Sequence, residues 1–492
     1  MKKPLFTQLK YSFILLLILL FSGCKDPNID EENFSKIANA KPGPPPVEGN
    51  GEVDLWITNK DKSSLFQKQN ILLNFTNTSN RYATIEVDTT QSYQTIDGFG
   101  YTLTGASAIV LNRMSATNRA NILEELFAHD NTSIGVSYLR ISIGASDLSS
   151  HVYSYDDMPA GQTDPTLTNF SIEPDRADMI PVLKEILGIN PQIKILGTPW
   201  SPPTWMKTNG SSVGGNLKPE YFGIYADYLV KYLKAMQAEG INVDAITLQN
   251  EPLNPYNNPS MLMSAAEQAA FIKNNIGPAL SAAGLSTKII LYDHNCDQPN
   301  YPVSILNDPQ AKQYVDGSAF HLYGGDISAL TAVHDAHPEK NIYFTEQYTD
   351  SNGNFGNDLN WHFRNLIIGA IRNWSRNVLE WNLAADPSNG PRTDGGCTTC
   401  LPAITVGTSD NITRNVSYYI IAHAAKFVRP GSIRIETNLP GSLLNVAFKN
   451  PDGKKVLIVL NDRRSSQTFN IQFKGKIVTT TLSGGGVGTF VW

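Results

Sequence analysis

The stretch DAITLQNEPLNP (residues 244–255) holds the reading on which the fold turns. Residues 245–248 are a short apolar run with the β-branched pair Ile246 and Thr247, the composition of a buried strand. The run stops at Gln249, Asn250 and Glu251, and Pro252 closes it. A proline disfavours helical backbone in the residue before it, so Glu251 is expected to be held extended. A strand built for a core that ends in two amides and a carboxylate suits the open end of a parallel barrel, where strand ends carry the working groups.

The same unit recurs along the chain. TIDGFG (95–100), SYLRISI (137–143), IKILGTPW (193–200), DAITLQN (244–250), KIILYDH (288–294), GSAFHLY (317–323), IYFTEQ (342–347) and VLEWNLA (378–384) read as strands. Amphipathic stretches such as NRANILEELFA (118–128) and ADMIPVLKEILG (177–188) separate most of them. This alternation predicts an α/β protein of the (β/α)8 barrel type. A doubly wound open sheet is the alternative, disfavoured because no glycine-rich phosphate turn follows an early strand. Short β runs flank the barrel pattern on both sides. They predict a side β-sandwich built jointly from the N-terminal strands and the C-terminal segment. The expected organisation is residues 1–23 as a leader, 24–50 as a proline-rich linker, 51–94 and 429–492 as the sandwich, and 95–428 as the barrel.

The chain has 492 residues and a net charge of −6, with 41% hydrophobic and 17% charged residues. That composition is ordinary for a globular protein and argues against nucleic acid as a partner. Near the start, Lys2, Lys3 and Lys10 precede an apolar run at 13–21, too short to span a bilayer and suited to a signal-peptide core. Ser22, Gly23 and Cys24 follow it and resemble a lipobox, with Cys24 as the lipidated residue. The alternative is an ordinary cleaved leader with an incidental cysteine. The expectation is an exported lipoprotein of a bacterial cell envelope, on the outer membrane and open to surface exposure, touching the membrane only through its lipid. A monomer is expected.

Cys397 and Cys400 form a single C-x-x-C in a Gly-rich stretch, readable as redox, half a zinc site or a local disulfide. No second C-x-x-C or histidine pair completes a tetrahedral site, so no metal is expected, and an exported protein favours the disulfide. Cys296 reads as a buried free thiol. No motif implies an organic cofactor.

The strand ends carry chemistry. The second brings Arg140 and then Asp147, the third Trp200 and Trp205, and the fourth Asn250 and Glu251. The sixth brings His321 and Tyr323, the seventh Glu346, and the eighth Trp381. One glutamate at a strand end is ordinarily a solvated loop carboxylate, Arg140 could be a structural ion-pair partner, and Trp205 or His321 could belong to the packing. Jointly, two carboxylates ringed by Trp, Tyr, Asn, His and Arg suit sugar chemistry: aromatic faces stack on sugar C–H faces, amides and charges bind hydroxyls, and paired carboxyls cleave the glycosidic bond. In the retaining version, the acid is expected to stay protonated because of its neighbour's negative charge.

The motifs QTIDGFGYTLTGASA (94–108), LRISIGASDLS (139–149), YSYDDMP (153–159), ILGTPWSPPTWMKTNG (195–210), TLQNEP (247–252), FHLYGG (320–325), FTEQY (344–348) and EWNLAADPSNGP (380–391) resemble, in this order, those of glycoside hydrolase family 30. The resemblance spans nearly the whole chain after the linker. It implies a retaining β-glycosidase with Glu251 as acid/base and Glu346 as nucleophile. Asp147, Trp200, Asn250 and Trp381 would contact the −1 sugar, and Arg140, His321 and Tyr323 would hold the nucleophile. The family's usual Gly-Phe-Gly-Gly is Gly98-Phe99-Gly100-Tyr101 here, and its Thr-Asp is Thr104-Gly105. Tyr101 could alter the pocket floor or repack the first strand. The expected substrate is an extracellular β-glucan, cleaved by endo-β-1,6-glucanase action. The alternatives are glucosylceramidase, β-glucosidase or xylanase activity of the same family, or a non-catalytic glycan-binding lipoprotein.

Overall fold

The computed structural model describes residues 51–492. The expected leader, linker and lipidated Cys24 lie outside the described residues. Eight parallel strands form the central sheet: β1 (Gly98–Leu103), β2 (Tyr138–Ile143), β3 (Lys194–Pro199), β4 (Ala245–Thr247), β5 (Lys288–Cys296), β6 (Val315–Gly325), β7 (Asn341–Glu346) and β8 (Asn377–Asn382). The order β7-β6-β5-β4-β3-β2-β1-β8 is sequential, with β8 beside β1, as a barrel requires. Arg376 N–H to Ile342 O (2.9 Å) and Trp381 N–H to Gln347 O (2.8 Å) close the gap between β7 and β8. The first strand begins at Gly98, three residues later than its sequence pattern suggests, because Thr95 still belongs to a long strand of the neighbouring sheet.

Period-2 alternation explains the barrel interior. Tyr138, Leu196, Ala245, Ile290, Ala319, Tyr343 and Leu379 make one apolar plug near the entry end of the strands. Each fully buried leucine or isoleucine there contributes about 1.5–3 kcal/mol over exposure. Two residues further along each strand, the inward positions become Arg140, Thr198, Thr247, His321, Thr345 and Trp381, all buried. The barrel is thus oily at one end and polar at the other. β5 would fall out of step, but its register shifts between Tyr292 and His294, and Tyr292 and Asp293 both take positive φ (71° and 60°). That bulge turns Tyr292 outward onto Phe320 and Asp293 inward.

The second sheet has nine strands, drawn from both sides of the barrel sequence. Asp54–Thr58 pairs antiparallel with Val487–Val491, and Ala83–Thr95 sits between Ile433–Thr437 and Gln467–Phe473. Its own core includes Leu55, Ile85, Ile435, Leu457, Phe469 and Phe490. His423, on the last barrel helix (Val416–Ala425), joins the two units: its ring nitrogens bond Thr58 and Thr489 of the sheet, each at 2.8 Å. Burial lowers its pKa to about 3, so the ring is neutral there. Among the described residues, no helix is long and apolar enough to cross a membrane.

The two departures in the first barrel motif now have locations. Tyr101 points outward, and its hydroxyl donates to Ser417 O (3.2 Å) on that same last helix. Thr104 caps the helix Gly105–Asn112 by accepting from Ser107 N–H. Tyr101 therefore repacks the wall and leaves the pocket alone. Tyr101→Phe should cost about 0.5–1.5 kcal/mol in denaturant unfolding, the usual worth of one buried hydrogen bond, with KM unchanged. A shifted KM would return Tyr101 to the pocket.

Candidate active site

At the polar end of the barrel is a cavity of about 290 Å³ lined by Asp147, Trp200, Glu251, Tyr323, Glu346 and Trp381 among others. A roomier cleft, about 450 Å³, opens at the opposite end beside Lys194, Asp244 and Lys288. Its charges are engaged in the scaffold: Lys194 with Asp244 (3.4 Å) and Lys288 with Asp316 (3.0 Å). Residues at that end of a barrel serve stability, and the polar end is where chemistry is placed.

The site is built around Arg140, which is wholly buried. Its Nη1 donates to Glu346 Oε2 (2.5 Å), and its Nη2 donates to Asn250 Oδ1 (2.7 Å) and Asp293 Oδ2 (2.9 Å). Nε donates to Thr198 (3.2 Å). The guanidinium lies against Trp200 and Trp381, 4.8 and 5.7 Å from the ring centroids, so the two aromatics cover its face. The planar fork suits this role, since each donor meets a different acceptor.

Asp293 was not among the residues singled out from the sequence, yet it ties Arg140, His321 and Glu251 together. Its carboxylate accepts from Arg140, from Thr247 (2.7 Å), from Thr345 (2.6 Å) and from His321 Nε2 (3.0 Å). Its backbone carbonyl accepts from Glu251 N–H (2.9 Å). Burial opposes its charge, but Arg140 and the His321 bond hold the carboxyl far below the usual range. The signal was available: LYDHN (291–295) ends a strand in polar residues, as the other strands do.

Glu251 and Glu346 face one another, with carboxylate oxygens within 4.8 Å of each other and of a His321 nitrogen. Tyr323 donates its hydroxyl to Glu346 Oε1 (3.0 Å). Asn254 and Asn257 donate to Glu251 Oε2 (2.7 and 3.2 Å), and His321 Nδ1 is 3.4 Å from Oε1. Both asparagines come from the loop after β4 and escaped the sequence reading.

Two expectations are corrected here. Glu251 is not extended: its φ is +44°, in the left-handed region despite Pro252. Its N–H bond to Asp293 O and its carbonyl bond to Asn254 N–H (2.8 Å) hold the turn; such strain persists only where surroundings over-determine it. Nor is Glu251 the carboxyl that its neighbour keeps protonated. Burial raises its pKa, but the His321 bond and charge outweigh this and bring it to about 2. Glu346 is instead the raised one, chiefly by burial, with His321 and Arg140 pulling the other way. His321 loses by burial but gains more from Glu346, Asp293 and Glu251, reaching about 9. These directions favour a cationic His321 over a protonated Glu251 in the free site.

The remaining sequence-selected residues divide by position. Asp147 lines the cavity, its pKa raised to about 7 by burial and then by the Glu346 charge. Trp200 and Trp381 stand 5.5 Å apart and form one wall. Asn250 lies behind, its carboxamide oxygen occupied by Arg140. Trp205 is packing: its Nε1 donates to Asp156 O and its ring meets Tyr221. Cys397 and Cys400 are disulfide-bonded and line the cavity, whereas Cys296 is free and buried.

Residues 96–428 match the glycosyl hydrolase family 30 TIM-barrel domain, and residues 431–490 match the family 30 beta sandwich domain. The chain is 37% identical over 442 residues to the endo-1,6-beta-D-glucanase of Neurospora crassa, covering 83% of this chain and 90% of that one. It is 28% identical to the lysosomal acid glucosylceramidase of Mus musculus, over 82% of each. Among solved structures, the endo-beta1,6-glucanase BT3312 superposes with a TM-score of 0.84 at 36% identity, covering 90% of this chain and 99% of that one. Both domains of the family are matched, the carboxylate pair lies within the barrel match, and the protein belongs to glycosyl hydrolase family 30.

Proposed function

We propose that this glycoside hydrolase is an endo-acting β-1,6-glucanase that works by double displacement on a glycan outside the cell, tethered by lipid at Cys24 to a bacterial envelope and active as a monomer. The likeness to two endo-1,6-glucanases across nearly the whole described chain carries the choice of substrate.

The close carboxylates support retention. A retaining pair stands about 5–5.5 Å apart, whereas an inverting pair leaves roughly 6.5–9.5 Å for a water; here the oxygens come within 4.8 Å. Glu346 is the nucleophile in this reading. Arg140 and Tyr323 bind one oxygen each and orient the carboxylate. Glu251 is the acid/base. It takes from His321 the proton that it passes to the leaving oxygen as the C1–O bond breaks and Glu346 bonds to C1. Glu251 then removes a proton from water, the water oxygen bonds to C1, Glu346 is released, and the proton returns to His321. Trp200 and Trp381 form the wall on which the −1 sugar stacks, Asp147 binds its hydroxyls, and the Asn250 amino group serves the 2-hydroxyl.

Incubation with β-1,6-glucan, β-1,3-glucan, glucuronoxylan and glucosylceramide should release oligosaccharides from the first, with β configuration in the newly formed product by proton NMR. Glucose from glucosylceramide alone would indicate a glucosylceramidase, and an α product would exclude double displacement. Glu346→Ala should abolish turnover.

The pH profile of kcat/KM tests the proton assignment. Glu346 must be ionised, so activity should rise with pH through its elevated pKa, and fall again as the His321 proton is lost near 9. His321→Gln removes the cation that holds Glu251 low, so Glu251 becomes the group whose proton is lost. The alkaline limb should then move to lower pH. An unmoved limb would remove His321 from the proton path.

A further inference from the structure

The loop between β8 and the last barrel helix contains the disulfide, and its contacts reach three separate parts of the site. Thr393 N–H and hydroxyl both bond the Asp147 carbonyl (2.9 and 3.1 Å). Cys397 N–H points at the Asp147 carboxylate, 3.4 Å from Oδ2. The Thr393 hydroxyl also reaches Asn258 O (2.6 Å), and Asn258 Nδ2 donates to Asp394 O (3.1 Å), which ties the loop to the segment after Glu251. Cys400 and Leu401 pair antiparallel with Asp350 and Thr349, just beyond Glu346. Between these anchors the loop is pressed close. A Cβ on Gly396 would fall 2.3 Å from Asp147 O, so only glycine fits.

The disulfide joins the residue that meets Asp147 to the residue held in the strand pair. Its sulfurs also belong to the wall: Cys400 packs in one cluster with Trp200, Trp381, Leu148 and Ala106, with Cys397 against it. A bridge closing so short a loop removes little unfolded-chain entropy, so global stability is a weak reason for it. Position is the stronger reason.

We propose that the Cys397–Cys400 disulfide is a positioning element of the −1 subsite: it fixes the Cys397 N–H on Asp147 and completes the wall beside the tryptophan pair. The inference rests on the cavity being the sugar-binding subsite. Asp147 is where the effect is felt, since the loop holds both its carbonyl and its carboxylate. Without the bridge, Cys397 can drift while Cys400 stays paired, and Asp147 loses its aim.

Calorimetric binding of a glucose-configured iminosugar reads this without turnover, on the wild type, C397S/C400S, Asp147→Asn and the triple variant. The serine pair should weaken Kd by about tenfold, and Asp147→Asn in that background should add little, because residues acting as one unit are not additive. On whichever glycan the wild type cleaves, the serine pair should raise KM more than it lowers kcat. Where the serine pair does not fold, the folded wild type is treated with a dithiol, which gives two hydrogens to the cysteine sulfurs and closes to its own disulfide. The same loss of iminosugar affinity should follow. Wild-type Kd and KM in the serine pair or the reduced enzyme, or losses that multiply in the triple variant, would overturn the proposal. Turnover by Glu346→Ala would instead overturn the reading of the site itself.

Discussion

The contact on which the rest depends is the buried ion pair of Arg140 and Asp293, 2.9 Å apart and closed to water. Burying two charges costs several kcal/mol per ion and is tolerated only when attraction and hydrogen bonds offset it. Here they do. Thr247, Thr345 and His321 supply the remaining donors to Asp293, and Glu346, Asn250 and Thr198 accept from Arg140. Because the pair joins β2 to β5 across the barrel interior, it fixes the polar layer as one body. Glu251 is aimed through the Asp293 carbonyl, Glu346 through Arg140, and His321 through the Asp293 carboxylate.

Charge distribution follows from that geometry. Three cavity carboxyls, Asp147, Glu251 and Glu346, share a space with Asp293 and only one permanent cation. Of these, the Glu346 charge, the Asp293 bond and charge, and the Glu251 bond lift His321 to about 9 despite its burial. The imidazole is placed to hold a proton in the proposed mechanism, since it touches both Glu251 and Asp293 while standing 3.8 Å from Glu346. In the proposed double displacement, glycosylation of Glu346 removes one of those negative charges, which favours release of that proton as Glu251 passes one to the leaving oxygen.

Much of this was legible beforehand because a barrel has a simple grammar. Strands whose apolar run ends in Arg140, Trp200, Asn250-Glu251, His321, Glu346 or Trp381 must show those residues at one face once the strands are parallel. Asp293 lies in a polar strand end that is visible in the sequence, but nothing local announces the bulge at Tyr292 that turns it inward. Asn254 and Asn257 sit in a loop, where spacing carries no periodic signal. The backbone of Glu251 was misread because the residue before a proline prefers extended geometry, and here two hydrogen bonds override that preference. The order in which the two glutamates hold a proton was also misread. Pairwise repulsion was visible in the sequence, but the placement of His321 beside Glu251 was not.

By itself, the sequence determined the alternation of strands and helices, the β runs on both flanks, and the residue types at each strand end. These are properties of periodicity and composition, which each segment carries locally. Only the tertiary structure decided which of those groups face one another, that a bulge in β5 turns Asp293 inward, and that a disulfide loop closes the wall against Asp147. The physical reason is distance along the chain. Arg140 meets a partner 153 residues away and another 206 residues away, and such contacts depend on register and closure of the whole barrel.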